Sequence, residues 1–395
     1  MDVERFRNSP SGRLLKVGAD EAAYWVFLPN PLPPALPFDA ELVHALSEAD
    51  RALGELSGLG RTIPNPQLLI RPFVRREAVL SSRIEGTQAD IADLYAYEAG
   101  QLSLPGAKPV PLESDVREVF NYVRAMEYGL ERLSTLPVSP RLMRELHEPL
   151  IASRGVRGDK ATPGEFRRSQ NWIGRPACSL NEAEYVPPPV PEMQEALAAL
   201  ESYLHGENTY PPLMRLAFIH YQFEAIHPFL DGNGRIGRLL ISLLLVNWNL
   251  LPLPLLYLSA YFEHHRQDYY DLLLAVSERG AWREWVMFFS RGVAEQAHDA
   301  IARAKRLQDL QMEWRRRLQT TARTSASLLQ LVDELFLSPT VTVPQVQKKL
   351  GVTHRAASQM VQRLVRENIL QIVPGNVRNR QFKAAEILAV LDVDR

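Results

Sequence analysis

The sequence is almost without cysteine. Cys178 stands alone in 395 residues, which excludes an intramolecular disulfide and any Cys-x-x-Cys metal site. An inert thiol in a cytoplasmic protein is the expectation. Long apolar runs are missing as well. The most apolar stretch, Leu239 to Val246, is far short of the roughly 20 residues that a membrane span needs. The N-terminal MDVERFRNSPSGRLL has no apolar core of signal-peptide length. Net charge is nearly absent too, since 45 Lys and Arg meet 46 Asp and Glu, leaving −1. That balance argues against wholesale binding to nucleic acid or membrane, while leaving room for a local basic patch. No repeat of 20–50 residues is visible. What is present, 46% hydrophobic and 23% charged residues, suits a soluble globular chain of two or three domains.

Residues 1 to about 38 read as loop-rich, ending in the proline-dense PNPLPPALPF. Helical periodicity begins near Asp39, where Leu42, Leu46, Ala49, Leu53 and Leu56 recur on one face. Further helices are expected over Asn65 to Leu80, from Ser114, after Ser139-Pro140, over Leu213 to Ile226 and over Ile236 to Trp248. Pro105, Pro109 and Pro111 mark a break. Arg154 to Pro191 is rich in Gly, Pro and polar residues and reads as a long functional loop carrying a small β-hairpin. No strand–helix–strand alternation appears in residues 39–318, so the core is expected to be mainly α.

His227 to Arg238 reads HPFLDGNGRIGR. Its glycines spell Gly-x-Gly-x-x-Gly, the spacing of a dinucleotide-binding turn. That turn needs a strand before it and an acid about 20 residues after it. Here the preceding LMRLAFIHYQFEAIH is helical, and the next acid after Arg238 is Glu263. The glycine spacing is therefore incidental. A different chemistry uses every residue. GNG at a helix start aims backbone N–H groups at an anion, with the helix dipole behind them. Arg235 and Arg238 are three apart and share a helical face, so two guanidiniums beside the N–H groups would clamp a polyphosphate. Asp231 lies where a carboxylate can hold Mg²⁺ against phosphate oxygens. His227 carries an imidazole, ordinarily titrating near pH 6.5, suited to take a proton from a hydroxyl. Base, metal ligand and phosphate cradle in twelve residues fit transfer of a phosphate-containing group.

The stretch resembles the signature of the Fic family, HxFx(D/E)GNGRxxR, at all eight specified positions: His227, Phe229, Asp231, Gly232, Asn233, Gly234, Arg235 and Arg238. PGEFRRSQNWIG (163–174) and the later YVPPP resemble the family's target-binding flap, and YLSAYFEHHRQDYYDLL its nucleotide-pocket helices. The similarity spans about Ser114 to Arg291. It implies a mainly α, Fic-type helical core with a small β-hairpin flap. It also implies transfer of AMP from ATP to a Ser, Thr or Tyr hydroxyl of a target protein, with pyrophosphate released. By the resemblance, His227 is the base and Asp231 holds Mg²⁺. Gly232, Asn233, Gly234, Arg235, Ile236, Gly237 and Arg238 form the nucleotide-binding stretch, with Arg238 on the γ-phosphate and Phe229 in the core. Ile173 and Gly174 present flap backbone to the target, and Tyr270 is a candidate for the adenosine pocket. The remaining histidines do not suggest a metal site; His220 and His227 are seven apart, about 10 Å along a helix.

SSRIEGT, with Ser81, Glu85 and Gly86, resembles the family's inhibitory helix, (S/T)xxxE(G/N). A carboxylate on Arg238 would fill the γ-phosphate space and misalign in-line attack. In some relatives the same glutamate supports removal of AMP, and the sequence does not separate the two directions.

The tail changes character. VPQVQKKLG and HRAASQMVQRLVREN are helices joined by a short turn at Gly351-Val352-Thr353, and LQIVPGNVRNRQFKA reads as two strands about a Pro-Gly turn. That order is a winged helix-turn-helix. From Thr340 to Lys383 eight Lys or Arg face one Asp or Glu, a net of +7. His354, Arg355 and Ser358 begin the helix that would enter a major groove, and Arg378 and Arg380 lie on the wing. Duplex DNA is one expected partner; a dimer or target-docking role is the alternative, because such folds also serve protein contacts. The expected domains are an N-terminal helical region with the inhibitory helix (1–112), a Fic core (113–300), a linker helix (301–324) and the winged helix (325–395). Self-modification, a homodimer and a DNA-binding regulator that uses the core as a nucleotide sensor stay open.

Overall fold

A computed structural model describes residues 1–19, 23–63, 65–98, 113–152, 162–175, 178–207, 209–321, 324–373 and 380–392. Pro105, Pro109, Pro111 and Arg378 lie outside them. Residues 1–38 are not merely loop: after a short helix α1 (Val3–Phe6), strands β1 (Gly12–Val17) and β2 (Tyr24–Pro29) pair antiparallel from Gly12↔Pro29 to Val17↔Tyr24. The strands are only six residues each, and prolines crowd the stretch that follows, so the pattern is weak in the sequence. The hairpin has a positional role. Val26 and Leu28 pack with Ala183 and Val186 in a small separate cluster, and the Phe27 amide donates to the Val186 carbonyl at 2.9 Å.

Helix α2 (Ala40–Thr62) starts where Asp39 Oδ1 accepts from the Leu42 amide at 2.9 Å, satisfying an otherwise orphan donor. Leu42, Leu46, Ala49, Leu53 and Leu56 are all buried, as their spacing predicts. Helix α3 (Gln67–Ile84) follows and stops at Gly86, whose φ of +98° a side chain would resist. Next come α4 (Ile91–Glu98), α5 (Glu113–Arg132) and α6 (Pro140–Ile151), the last capped by the Ser139 hydroxyl. Among the described residues of the loop over 162–189, an antiparallel bridge, Ile173↔Tyr185, and a 3-10 turn at Leu180–Glu182 stand where a small hairpin is expected.

The centre is built from α7 (Val190–His205), α8 (Pro212–Ile226) and α9 (Asn233–Asn247). Ile236, Leu239, Leu243 and Leu245 of α9 are each at most 1% exposed. Each such side chain contributes about 1.5–3 kcal/mol of transfer free energy against its ordering cost. Helices α10 (Ser259–His264) and α11 (Arg266–Arg279) pack on α12 (Trp282–Thr321), which runs unbroken past residue 300 and packs along α2.

The C-terminal segment runs α13 (Ala326–Leu337), β3 (Thr340–Thr342), α14 (Val343–Leu350), α15 (His354–Arg366), β4 (Gln371–Ile372), β5 (Gln381–Lys383) and α16 (Ala385–Leu391). Its strands form an antiparallel sheet in the order β3-β5-β4. Gly351, at φ +63°, makes the turn between α14 and α15. Helix α13 packs on α3 and α12, and α16 on α12, α3 and α4. Arg315 Nη1 meets both Asp333 oxygens at 2.7 Å to lock α12 to α13.

Candidate active site

The site begins where α8 ends. His227 takes the left-handed conformation (φ 49°, ψ 60°), which turns the chain out of the helix. Phe229 then plugs the core, stacked on His147 with ring centroids 3.9 Å apart and planes 10° off parallel. Asn233 closes the loop on itself. Its Oδ1 accepts from the Phe229 amide and its Nδ2 donates to the Phe229 carbonyl, both at 2.8 Å. The Asn233 side chain is therefore a clamp on the loop, and only its backbone lies at the helix start. Gly232, at φ +81°, supplies the left-handed turn into α9. His147 braces the same loop: its Nε2 donates to the Asp231 carbonyl at 3.0 Å, and its Nδ1 accepts from the Gly164 amide at 3.1 Å.

Two flap residues fix the backbone of the base candidate. The His227 carbonyl accepts from Arg167 Nε at 3.0 Å and from Asn171 Nδ2 at 3.4 Å. Arg167 is 1% exposed, and burial pulls its guanidinium down to about 10, still charged at neutral pH. The imidazole is set from the other side, with Nδ1 3.2 Å from the Glu224 carbonyl. A carbonyl only accepts, so the proton sits on Nδ1 and Nε2 keeps its lone pair. Burial pushes the ring down to about 4, so it is neutral near pH 7.

His227 lines a cavity of about 610 Å³ together with Glu85, Ile173, Gly174, Gly234, Arg238 and Tyr270. Seven of the sequence candidates thus share one space, of a size that suits a nucleotide. Arg238 is buried and spends its donors on the end of α3. Its Nε donates to the Ser81 hydroxyl at 2.8 Å, and its Nη2 to the Ser81 carbonyl at 2.9 Å and to Glu85 Oε1 at 2.7 Å. The two charges support each other: Arg238 offsets burial and holds the Glu85 carboxyl below its ordinary range, and Glu85 holds the guanidinium up. Gly234 permits this approach, since a Cβ there would stand 2.5 Å from Glu85 Oε1.

The other candidates lie elsewhere. Arg235 spends its donors on different partners from Arg238. It is 1% exposed, with Nη1 on Glu118 Oε2 at 3.2 Å and Nη2 3.7 Å from Asp231 Oδ1. Sharing a helical face is not enough, because Glu118 on α5 and Glu85 just past the end of α3 take the two guanidiniums as separate partners. Asp231 Oδ1 accepts from the Gly232 amide at 2.6 Å, and its side chain is 32% exposed. Ile236 is core, and Gly237 gives room to Glu224, whose Oε1 would be 2.2 Å from a Cβ there. Ile173 has both backbone groups engaged, its amide on the Tyr185 carbonyl at 2.8 Å and its carbonyl on the Glu184 amide at 2.9 Å. Among the described residues, no group of three His, Cys, Asp or Glu is arranged for a metal.

Sequence reasoning missed several site residues. Glu224 lines the cavity one helical turn before His227, and burial raises its carboxyl to about 8. The three-residue spacing could have flagged it. Tyr269, whose hydroxyl meets His220 Nε2 at 2.9 Å, also lines the cavity. Nothing local could have paired Glu118 with Arg235, 117 residues away.

Two family models match this chain. One is described as Fic/DOC family N-terminal, over residues 43–131, and the other as Fic/DOC family, over residues 137–245. Protein adenylyltransferase Fic of Aedes aegypti is 30% identical over 174 residues, 43% of this chain and 32% of that protein. The Drosophila grimshawi protein of the same name is 29% identical over 210 residues, 52% of this chain and 38% of its own length. The chain thus spans about a third of the length of these curated relatives. A Fic family protein from Desulfovibrio desulfuricans G20 shares the fold, with a TM-score of 0.56 at 20% identity over 89% of this chain and 98% of that one.

Proposed function

This chain belongs to the Fic/DOC family, and from that premise we propose that it is an autoinhibited protein adenylyltransferase moving AMP from ATP to a Ser, Thr or Tyr hydroxyl. The observation that carries the reading is the shared cavity, with a neutral, base-ready His227 and the phosphate-seeking Arg238 on its wall. The target hydroxyl enters at the flap, past Trp172 and Gly174. His227 Nε2 takes its proton as the oxygen attacks the α-phosphorus. The bond to the β-phosphate oxygen breaks opposite, and pyrophosphate leaves. Backbone N–H groups at the start of α9 receive phosphate oxygens. Arg235 contributes indirectly, holding the loop through Glu118 and Asp231.

The donor chemistry fits Mg²⁺: one solvent-accessible carboxylate at a phosphate-binding turn is the usual protein share of such a site. Asp231 would hold the ion, which supplies charge neutralisation on the phosphates. The domains follow the division at residues 1–112, 113–300, 301–324 and 325–395, with the brake in the first.

Glu85 is that brake. While it pairs with Arg238 at 2.7 Å, it occupies the arginine that the γ-phosphate needs. A second reading uses the same carboxylate: Glu85 and His227 share the cavity, so a water held by Glu85 could cleave AMP from a modified protein.

The test is label transfer to protein from α-phosphate-labelled ATP with Mg²⁺, comparing wild type, Glu85→Gly and Glu85→Gly/His227→Ala. Label is expected with Glu85→Gly alone, on the chain itself or on an added target. Equal labelling of wild type and Glu85→Gly would remove the brake. No labelling, with release of AMP from a pre-modified protein by wild type, would favour the second reading.

A further inference from the structure

The C-terminal unit carries a surface that the transfer reaction does not use. Ala357, Val361 and Leu364 are the buried residues of α15. On the opposite side Arg355, Gln359, Gln362 and Arg366 are all exposed. Their spacing of four, three and four residues puts them on a single stripe. The stripe is flanked by exposed Lys348 at the end of α14 and by exposed Arg380 just before β5. His354, Ser358, Gln362 and Arg366 line a groove of about 500 Å³ that Ile372, Arg380 and Phe382 close from the sheet side.

The charge is segregated. Residues 340–383 carry +7, which leaves the rest of the chain at −8. The one acid in that span, Glu367, caps the far end of α15 and is half-buried. The acids of α13 pair locally, Asp333 with Arg315 and Glu334 with Lys349 at 3.0 Å. The elements that seat the unit on the rest of the chain are α13 and α16, packed on α3 and α12. Arg363 reaches back to the Leu318 carbonyl at 3.0 Å and belongs to that seat.

We propose that the α15 stripe is a duplex-DNA surface, with the helix in the major groove and Arg380, just before β5, against the adjoining backbone. A helix of 13 residues is about 20 Å long, and its width matches a groove of about 12 Å. Side-chain chemistry decides between DNA and a protein partner. Arg and Gln are the bidentate readers of guanine and adenine edges, and Arg355, Gln359 and Gln362 occupy the central positions. Lys348, Arg366 and Arg380 flank them as phosphate contacts. A protein-docking helix would place aromatic or aliphatic anchors on that stripe, and it has none.

The experiment measures fluorescence anisotropy of a labelled random-sequence 24-base-pair duplex with the full chain. Three phosphate contacts predict binding about 40-fold weaker at 200 mM than at 50 mM salt. Arg355→Glu/Arg366→Glu is expected to weaken binding at least 100-fold, and Arg13→Glu, a charge reversal of the same kind at one position on the exposed N-terminal hairpin, to leave it unchanged. If the double variant fails to fold, Arg366→Gln alone should lower the salt slope by about one unit. No binding at 50 mM salt, salt-independent binding, or equal loss with Arg13→Glu would each overturn the proposal. None of these outcomes bears on label transfer from ATP.

Discussion

Arg238 is anchored to α3 by Ser81 as well as by Glu85: its Nε donates to the Ser81 hydroxyl at 2.8 Å and its Nη2 to the Ser81 carbonyl at 2.9 Å. Only the Glu85 contact blocks phosphate. When that carboxylate is removed, the Ser81 contacts still orient the guanidinium. Ser81 is therefore a positioning residue for the active state. In the Glu85→Gly background, Ser81→Ala should raise KM for ATP about 10-fold, the worth of one charge-assisted hydrogen bond of about 1.4 kcal/mol. kcat should change less, because the hydroxyl does not touch the reacting atoms. An unchanged KM in steady-state kinetics would reduce Ser81 to a helix residue.

The pH profile follows from His227. Burial pushes its imidazole down to about 4, and a general base works only when unprotonated. The Glu85→Gly enzyme should keep a level kcat/KM from pH 8 down to about 5.5 and lose it below, as the ring gains its proton. Removing Glu85 takes away a charge that raises the ring's pKa, so the falling limb moves lower. A midpoint near 6.5 would mean that the histidine is solvated in the working enzyme.

Glu224 makes a stability prediction of the opposite slope. Its carboxyl is raised to about 8 by burial, against an ordinary value of 4.5. Below pH 4.5 both the folded and the unfolded chain hold this proton. Between 4.5 and 8 only the folded chain does, so the group's contribution turns against folding as pH rises. Glu224→Gln keeps the shape and cannot ionise. It should stabilise by about 4 kcal/mol at pH 7.5 and by nothing at pH 4, read from denaturant midpoints at the two pH values. A gain of equal size at both would assign the effect to packing instead.

Some of this was legible in the sequence. The Leu42-to-Leu56 face and the Ser139-Pro140 start are local signals, fixed by helical period and by capping chemistry, and both reappear in α2 and α6. The HPFLDGNGRIGR segment is also local, so its turn and its helix start could be read directly. What could not be read is which partner each side chain meets. Arg235 and Arg238 look equivalent from their spacing, yet Glu118 takes one and Ser81 with Glu85 takes the other. Asn233 resembles a ligand donor, but its amide is consumed by the Phe229 backbone four residues away. The N-terminal hairpin was missed because six-residue strands gain their stability from a surface, Ala183 and Val186, that lies more than 150 residues downstream.

Two glycines of the motif should separate packing from control. A Cβ at Gly237 would stand 2.2 Å from Glu224 Oε1 and 3.2 Å from the Phe223 ring, inside the α8–α9 contact. Gly237→Ala must displace both and should cost about 1–3 kcal/mol, the usual range for overpacking. Trimming the obstacle, in Gly237→Ala/Glu224→Ala, should recover most of that loss. The nearest atoms to a Cβ at Gly234 are the ends of Glu85 and Arg238, at 2.5 and 2.9 Å. Those ends can shift, so Gly234→Ala should cost less stability while loosening the pair that fills the γ-phosphate space. Urea midpoints and label transfer from ATP, measured on the same preparations, test the contrast. Gly237→Ala is expected to move the first measurement and Gly234→Ala the second. A Gly234→Ala protein as tightly braked as wild type would show that the Glu85–Arg238 pair tolerates displacement, and that the block depends on the carboxylate's presence more than on its 2.7 Å geometry.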